Sequence, residues 1–329
     1  MLTRSVRLIS KPYFSYIIPT IGRASLEVAV TSVLEQAISH ADFEVIVVND
    51  SGSPLQEVEF LSVPRVRVID TNRCERSFAR NAGAAVAEGQ YLAFLDDDDW
   101  ILPGALENFW QLTQSDPAAD WLYGGIRVVD EQGKVLKEIN SRLNGNCFSK
   151  IMGGAWAPIQ SSLIRSSAFF EAGGYSPFIC GTEDEDLCRR IAFRGTFANT
   201  PAVIACLFRG QTWTSSTNYM RAPHDTKYSR DLILSKPGAF RRLRSSAGSS
   251  YWHGRNLRIY LSTFTWNISR RNYLTALSRI SLSVLAFILS INHCFKSEFW
   301  RGVRADHVPD TLHYVIKEYE QTTRITQEG

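Results

Sequence analysis

Cysteine is sparse and unpatterned. The six, at positions 74, 147, 180, 188, 206 and 294, form no CxxC pair and no regular framework, which argues against a zinc ribbon and a disulfide-built scaffold. A reduced, cytosolic compartment suits such a chain. No GxGxxG follows the first apolar run and no GxxxxGKS or GxxxxGKT occurs anywhere, so a dinucleotide fingerprint and a P-loop are both missing. Long apolar runs are missing too. The basic start MLTRSVRLISKPYF holds no apolar stretch of signal-peptide length, and export is not expected from it. The uncharged segment Ile280 to Phe295 is interrupted by Ser281, Ser283, Ser290, Asn292 and His293 and falls short of the roughly 20 residues that span a bilayer. Lying on a membrane, rather than crossing it, is the expectation. There is no internal repeat and no low-complexity tract.

What is present is a chain of 329 residues, 44% hydrophobic and 21% charged, enough for one large domain and an appendage. The net charge of +3 is unevenly spread: from Tyr219 onward there are 17 Lys and Arg against 8 Asp and Glu, leaving 19 against 25 before it. The feature that organises the chain is FLDDDDW, residues 94 to 100, where the apolar run from Tyr91 to Leu95 stops in Asp96, Asp97, Asp98 and Asp99. Adjacent carboxylates repel one another, so a compact protein keeps them at a strand end only with a cation among them. Hard divalent ions such as Mg²⁺ or Mn²⁺, carrying phosphates, meet that need. A solvated acidic loop is the competing reading.

Strand and helix signals alternate along the first half. Phe14 to Pro19 reads as a strand, Ala24 to Gln36 as a helix with Leu26, Ala29, Val30, Val33, Leu34 and Ala37 on one face, and Phe43 to Val48 as a strand covered on both sides. Arg65 to Ile69, the helix Ser77 to Ala87 and a fourth strand at 90 to 95 follow. This alternation predicts an α/β fold, a mostly parallel Rossmann-like sheet with helices on both faces, in which ligands bind outside the carboxyl ends of the strands. Three of those ends carry polar turn material: Thr20 with Arg23, Asn49 with Asp50, and the acidic run. After a helix ending near Ser115, Trp121 to Val129 and Lys134 to Ile139 read as an antiparallel hairpin, Gly145 to Pro158 as a mobile Gly-rich loop near the site, and Ile159 to Ile164 as a strand. Gly181-Thr182-Glu183-Asp184-Glu185-Asp186 opens a helix that stops at Gly195, and Phe197 to Phe208 is strand material before a polar loop. Thr182 is an N-cap candidate and the acids suit a first turn. That capping role and a catalytic base are the two readings of Glu183 to Asp186.

Four blocks, SYIIPTIGRASLEVAVTSVLEQ, FEVIVVNDSGS, ARNAGAAVAEGQYLAFLDDDDW and GGYSPFICGTEDEDLCRRIAFRG, in this order and spacing, resemble the family-2 glycosyltransferases of GT-A fold over residues 14 to 215. The resemblance implies that Pro19, Thr20, Arg23 and Asp50 hold the nucleotide of a sugar donor, with Asp50 accepting from the base. It places Arg76 and Arg80 beside the nucleotide pocket, although Arg80 paired with an acid is an equal reading. Asp96, Asp97 and Asp98 fall on the DxD motif, in which Asp96 faces the ribose and metal waters and Asp98 binds the metal, Mn²⁺ or Mg²⁺. Asp97 is a turn filler or a donor contact, and Asp99 falls on an extra acid of open role. The Glu183-Asp184 pair marks the base, with Asp184 removing the acceptor hydroxyl's proton. The expected reaction is metal-dependent, inverting transfer of a sugar from a nucleotide-diphosphate donor, UDP-linked by expectation, to a glycan or lipid-linked acceptor in polysaccharide or glycoconjugate synthesis. A non-catalytic nucleotide-sugar-binding protein and a nucleotidyltransferase are the alternatives. The chain departs from the family pattern after the last strand, where many members carry a His. Here Phe208-Arg209-Gly210-Gln211 follows, leaving Gln211, His224 or nothing as a third metal ligand.

Residues 216 to 329 form a basic, mainly helical region with no motif. Its Arg and aromatic residues suggest nucleic acid, but the apolar helical stretches Leu257 to Phe264 and Tyr273 to Ile291 argue against that partner. Basic residues beside an apolar helix suit the anionic inner face of a plasma membrane. Peripheral association through residues 257 to 295, packing on the catalytic domain, and a homodimer contact are the open readings of this region.

Overall fold

The computed structural model describes residues 11–56, 58–209 and 222–305. The chain forms two compact units, Met1–Gly145 with Trp156–Trp213, and Asn146–Ala155 with Thr214–Gly329.

The first unit opens with β1 (Phe14–Thr20), α1 (Leu26–Leu34), β2 (Phe43–Asn49), β3 (Val66–Asp70), α2 (Arg76–Val86) and β4 (Tyr91–Phe94). These four strands are parallel neighbours in the order β3-β2-β1-β4. The chain works outward from β1 to β3 and then returns to the other side of β1. The gap between the carboxyl ends of β1 and β4 is therefore a switch point, where such sheets leave a crevice. Next come β5 (Trp100–Ile101), α3 (Ala105–Ser115), β6 (Trp121–Val129) and β7 (Val135–Ile139). Beyond α4 (Phe148–Met152), β8 (Ser162–Arg165), α5 (Ser166–Glu171), α6 (Glu183–Ala192) and β9 (Phe197–Phe208) complete the unit. Its sheet of nine strands runs β3-β2-β1-β4-β8-β6-β9-β5, with β7 hydrogen-bonded to β6.

Every residue of β2 is buried, which is why that strand reads as an almost continuously apolar run. Phe14, Tyr16 and Ile18 of β1 and Val45 and Val47 of β2 share a core with Leu26, Ala29, Val30 and Val33 of α1. The alternate residues face α2, where a Cβ on Gly83 would come within 2.5 Å of Ile17 and 2.9 Å of Val48. Glycine lets that helix lie against the sheet.

The region from 145 to 158 is not the loop its glycines suggest. Phe148, Ile151 and Met152 are buried on one turn of α4, and residues 146–155 belong to the second unit. The glycines lie mostly beside a short apolar i, i+3, i+4 turn too brief for periodicity to register. Ile159–Ser161 is a 3-10 turn, and the strand begins only at Ser162. In the second unit the helices are α7 (Ala222–Leu234), α8 (Ala239–Ser245), α9 (Ser249–Ser269), α10 (Tyr273–Leu289) and α11 (Ser297–Arg304). The backbones of α9 and α11 touch: a Cβ on Gly254 would sit 2.0 Å from the Phe299 carbonyl oxygen. Among the described residues no helix is long and apolar enough to cross a membrane.

Candidate active site

The sheet delivers Thr20 and Asp96 to Asp99 to the same end of neighbouring strands. Thr20 Oγ1 donates to Asp97 Oδ2 at 2.6 Å and accepts the Gly22 N–H at 2.9 Å. Arg23 Nη1 reaches Asp97 Oδ1 at 2.7 Å and Asp98 Oδ2 at 3.3 Å. Asp97 is buried. Burial pushes its carboxyl up, while the Thr20 hydroxyl and the Arg23 guanidinium draw it back. Asp97 is therefore more than turn filler: it ties the loop after β1 to the loop after β4. Burial works against the charge of Arg23, but Asp97 and Asp98 outweigh it and raise its pKa.

The other three carboxylates face one another. Asp96, Asp98 and Asp99 each offer an oxygen, all within 4.8 Å of one another. Asp99 is buried and accepts the Phe208 N–H at 3.0 Å. Burial, then Asp96 and Asp98, push its carboxyl well above the usual carboxylate range, with Arg209 opposing. Asp98 is also raised, by burial and by Asp96, against the pull of Arg23. Three hard oxygen donors, two of which resist ionisation unaided, fit a divalent cation. Asp99, the extra acid of open role, thus stands in one cluster with the two acids expected to hold metal. Gln211 and the side chain of His224 lie outside the described residues.

Asp96 turns toward Arg80. The Arg80 Nη2 donates to Asp96 Oδ1 at 2.7 Å, and Gln160 Nε2 reaches Asp96 Oδ2 at 3.3 Å. Burial opposes the Asp96 charge, but Arg80, with Arg76 and Gln160, outweighs it and holds the carboxyl below the usual range. The Arg80 Nη1 lies 3.3 Å from Glu183 Oε1 and 3.6 Å from Asp184 Oδ1. Arg80 is only 2% exposed, and its guanidinium stacks 5.1 Å over the Tyr175 ring. Asn81 pins Tyr175 by taking its N–H at 2.8 Å and donating to its carbonyl at 2.9 Å. Arg80 is ion-paired, and it pairs with both acidic clusters at once. Gln160, Tyr175 and Asn81 carried no signal in the sequence, because each acts only through a neighbour distant in the chain.

The four acids opening α6 divide in two. Glu185 pairs with Arg189, and Asp186 with Arg190 at 2.7 Å, each one turn along the helix. Those are structural pairs, and their i, i+4 spacing is visible in the sequence. Glu183 is buried against Arg80 and lies 3.5 Å from Arg76 Nη1. Asp184 keeps a third of its side chain exposed, 33%, while its Oδ1 is shut from solvent without a hydrogen-bond partner. Burial pushes the Asp184 carboxyl up to about 7, with Arg80 pulling it down and Glu183 and Asp96 pushing it up. A carboxyl raised this far takes up a proton near neutral pH more readily than an ordinary aspartate. Thr182 stands at the N-cap position, but its side chain makes no capping hydrogen bond.

Asp50, at the end of β2, accepts from Thr71 Oγ1 at 2.7 Å, the Cys74 N–H at 2.8 Å and the Glu75 N–H at 3.2 Å. It fastens the turn before α2, where Arg73 and Glu75 take left-handed φ values of 50° and 90°. Pro19 lies in β1 opposite Val48.

A nine-stranded, mostly parallel sheet with an acidic cluster at its switch point defines a protein of the GT-A architecture. The chain belongs to glycosyl transferase family 2, whose sequence model matches residues 15–182. It is 33% identical over 227 residues to an uncharacterized glycosyltransferase of Rickettsia bellii, covering 67% of this chain and 31% of that one. The chain thus spans about a third of that relative's length. It is 24% identical over 211 residues to the poly(ribitol-phosphate) β-N-acetylglucosaminyltransferase TarP of Staphylococcus aureus, covering 62% of this chain and 60% of TarP. The structure of S. aureus TarS residues 1–349 in complex with UDP-GlcNAc superposes with a TM-score of 0.57 at 16% identity, covering 70% of this chain and 69% of that one.

Proposed function

We infer that the protein transfers a sugar, with inversion, from a UDP-linked donor to a hydroxyl of a glycan or lipid-linked acceptor. One observation carries this reading: buried Arg80 joins Asp96 of the donor cluster to Glu183 and Asp184 of the second cluster. In-line displacement needs both a held leaving group and a base beyond the sugar. Thr20, Arg23 and Asp50 bind the nucleotide in this reading, and Arg76, 39% exposed in its side chain, is available to its phosphates. Asp96 and Asp98, with Asp99, would hold Mn²⁺ or Mg²⁺. That cation supplies positive charge beside the departing diphosphate. The acceptor oxygen attacks the anomeric carbon and gives its proton to the outward oxygen of Asp184. The bond from carbon to phosphate oxygen breaks, and UDP leaves with the electron pair. Glu183, already committed to two arginines, positions the base rather than acting as one. The UDP donor is supported by the UDP-GlcNAc bound to TarS, and sugar transfer by the N-acetylglucosaminyltransferase name of TarP.

Incubation with Mn²⁺ and a panel of nucleotide sugars is expected to release UDP from at least one donor, UDP-GlcNAc being the first to try. Asp98→Asn should abolish release. Asp184→Asn should lower transfer by about 10²- to 10⁴-fold while sparing donor binding, and full transfer activity in that variant would overturn the mechanism. Pyrophosphate in place of UDP would identify a nucleotidyltransferase. Metal-dependent donor binding without turnover on any acceptor would identify a binding protein.

A further inference from the structure

Helix α10 is built inside out. Its buried positions are small: Ala276 and Ser283, followed at the same seven-residue spacing by Ser290, whose Oγ bonds the His253 ring of α9 at 3.1 Å. Its large apolar residues point away from the protein. Leu274 is 88% exposed and Leu289 66%, with Leu277, Val284, Leu285 and Ile288 all at least half exposed. Just past the helix Phe295 is 87% exposed. At 100° per residue these positions, with Tyr273 and Phe287, cover roughly 200° of the helix circumference. That is wider than the stripe of about 100° by which one helix packs on a core.

Along the chain, the charge on the segment that carries this face has one sign. Between Asp231 and Glu298 the sequence holds ten Lys and Arg and no acidic residue. Arg270 and Arg271 stand exposed at the start of α10 and Lys296 beyond its end, with Arg241 and Arg244 exposed on α8. A second copy of the chain would bring this basic surface against itself. An anionic lipid surface complements both the charge and the breadth of the apolar face. We propose that α10, with the α9–α10 turn, is a membrane-surface anchor that lies in the headgroup region of anionic lipid, its Leu, Val, Ile and Phe side chains inserted and Arg270, Arg271 and Lys296 on the phosphates. At 1.5 Å per residue its 17 residues extend about 26 Å, long enough to lie across several lipids.

Flotation of the full chain with phosphatidylcholine vesicles, with and without phosphatidylglycerol, tests this. The protein is expected to float with the phosphatidylglycerol vesicles and to be released by high salt. Arg271→Glu combined with Lys296→Glu should weaken partitioning by more than about tenfold. Leu277→Ser combined with Ile288→Ser, at exposed positions that the fold does not use, should abolish it even at low salt while the thermal melt stays unchanged. Absence of binding to anionic vesicles, or binding indifferent to phosphatidylglycerol, would overturn the proposal. So would a dimer in light scattering that the Leu277→Ser, Ile288→Ser variant dissociates, since a second copy would then own the face.

Discussion

At the scale of single residues, the proposed function turns on Asp184 and on its partner Arg80. Burial pushes the Asp184 carboxyl up to about 7, and Arg80 restrains it. A base works only when deprotonated, so kcat/KM, which reports the free enzyme, should rise with pH through about 7 and then level. A limb near pH 4, the ordinary range of Asp, would remove Asp184 from that role. Arg80→Gln deletes the cation that lowers the Asp184 pKa, and the limb should then move above 7. A purely structural Arg80 would leave the limb in place. The same variant removes a buried cation from Glu183 and Asp96, leaving Arg76 beside the one and Gln160 beside the other, so it should also lower stability in a denaturant titration. Glu185 and Asp186 make the contrast. Their partners Arg189 and Arg190 lie on the same helix, so charge removal there should leave the pH profile unmoved.

At the scale of elements, close contacts of backbone on backbone set what the helices tolerate. Gly254 of α9 lies under the carbonyl of Phe299 in α11, and Gly302 of α11 lies under that of Tyr251, where a Cβ would stand 2.3 Å away. Alanine favours a helix over glycine by about 1 kcal/mol, yet overpacking against backbone costs roughly 1–3 kcal/mol. The second effect is expected to win: Gly254→Ala should lower the melting temperature, although a propensity scale predicts the reverse. Elements of this kind also show what the sequence could and could not disclose. The strands β1, β2 and β4 were legible because burial on both faces leaves a nearly continuous apolar run, and helix α1 because its buried face leaves a helical period. The single turn α4 was not, since three apolar residues among glycines look like a loop. The acidic run stood out in the sequence, but the distinct contacts of Asp97 and Asp99 depend on Thr20, Arg23 and the Phe208 N–H, groups far off in sequence. Arg80 pairing across 103 residues to Glu183 is likewise a tertiary fact with no local pattern.

At the scale of the whole molecule, the carboxylate cluster links proton binding to folding, and a cation bound there would enter the same balance. Asp99 has its pKa raised well above the ordinary value by burial and by Asp96 and Asp98, so the folded chain binds a proton more tightly than the unfolded one. Stability then falls as pH rises from the unfolded Asp value of about 3.9 through the raised folded value, and above that value the full penalty is present. A cation that binds only the folded cluster reverses the penalty by RT ln(1 + [L]/Kd), about 2.7 kcal/mol at a hundredfold excess over Kd. Two outcomes are expected in thermal melts at neutral to mildly alkaline pH. Mn²⁺ should raise the melting temperature, and by more as the pH increases. Asp99→Asn, which keeps an oxygen for the Phe208 N–H but carries no charge, should melt above the wild type without metal and gain less from Mn²⁺. If Asp99→Asn instead melts lower without metal and gains as much from it, Asp99 is a structural acid and the cation rests on Asp96 and Asp98 alone.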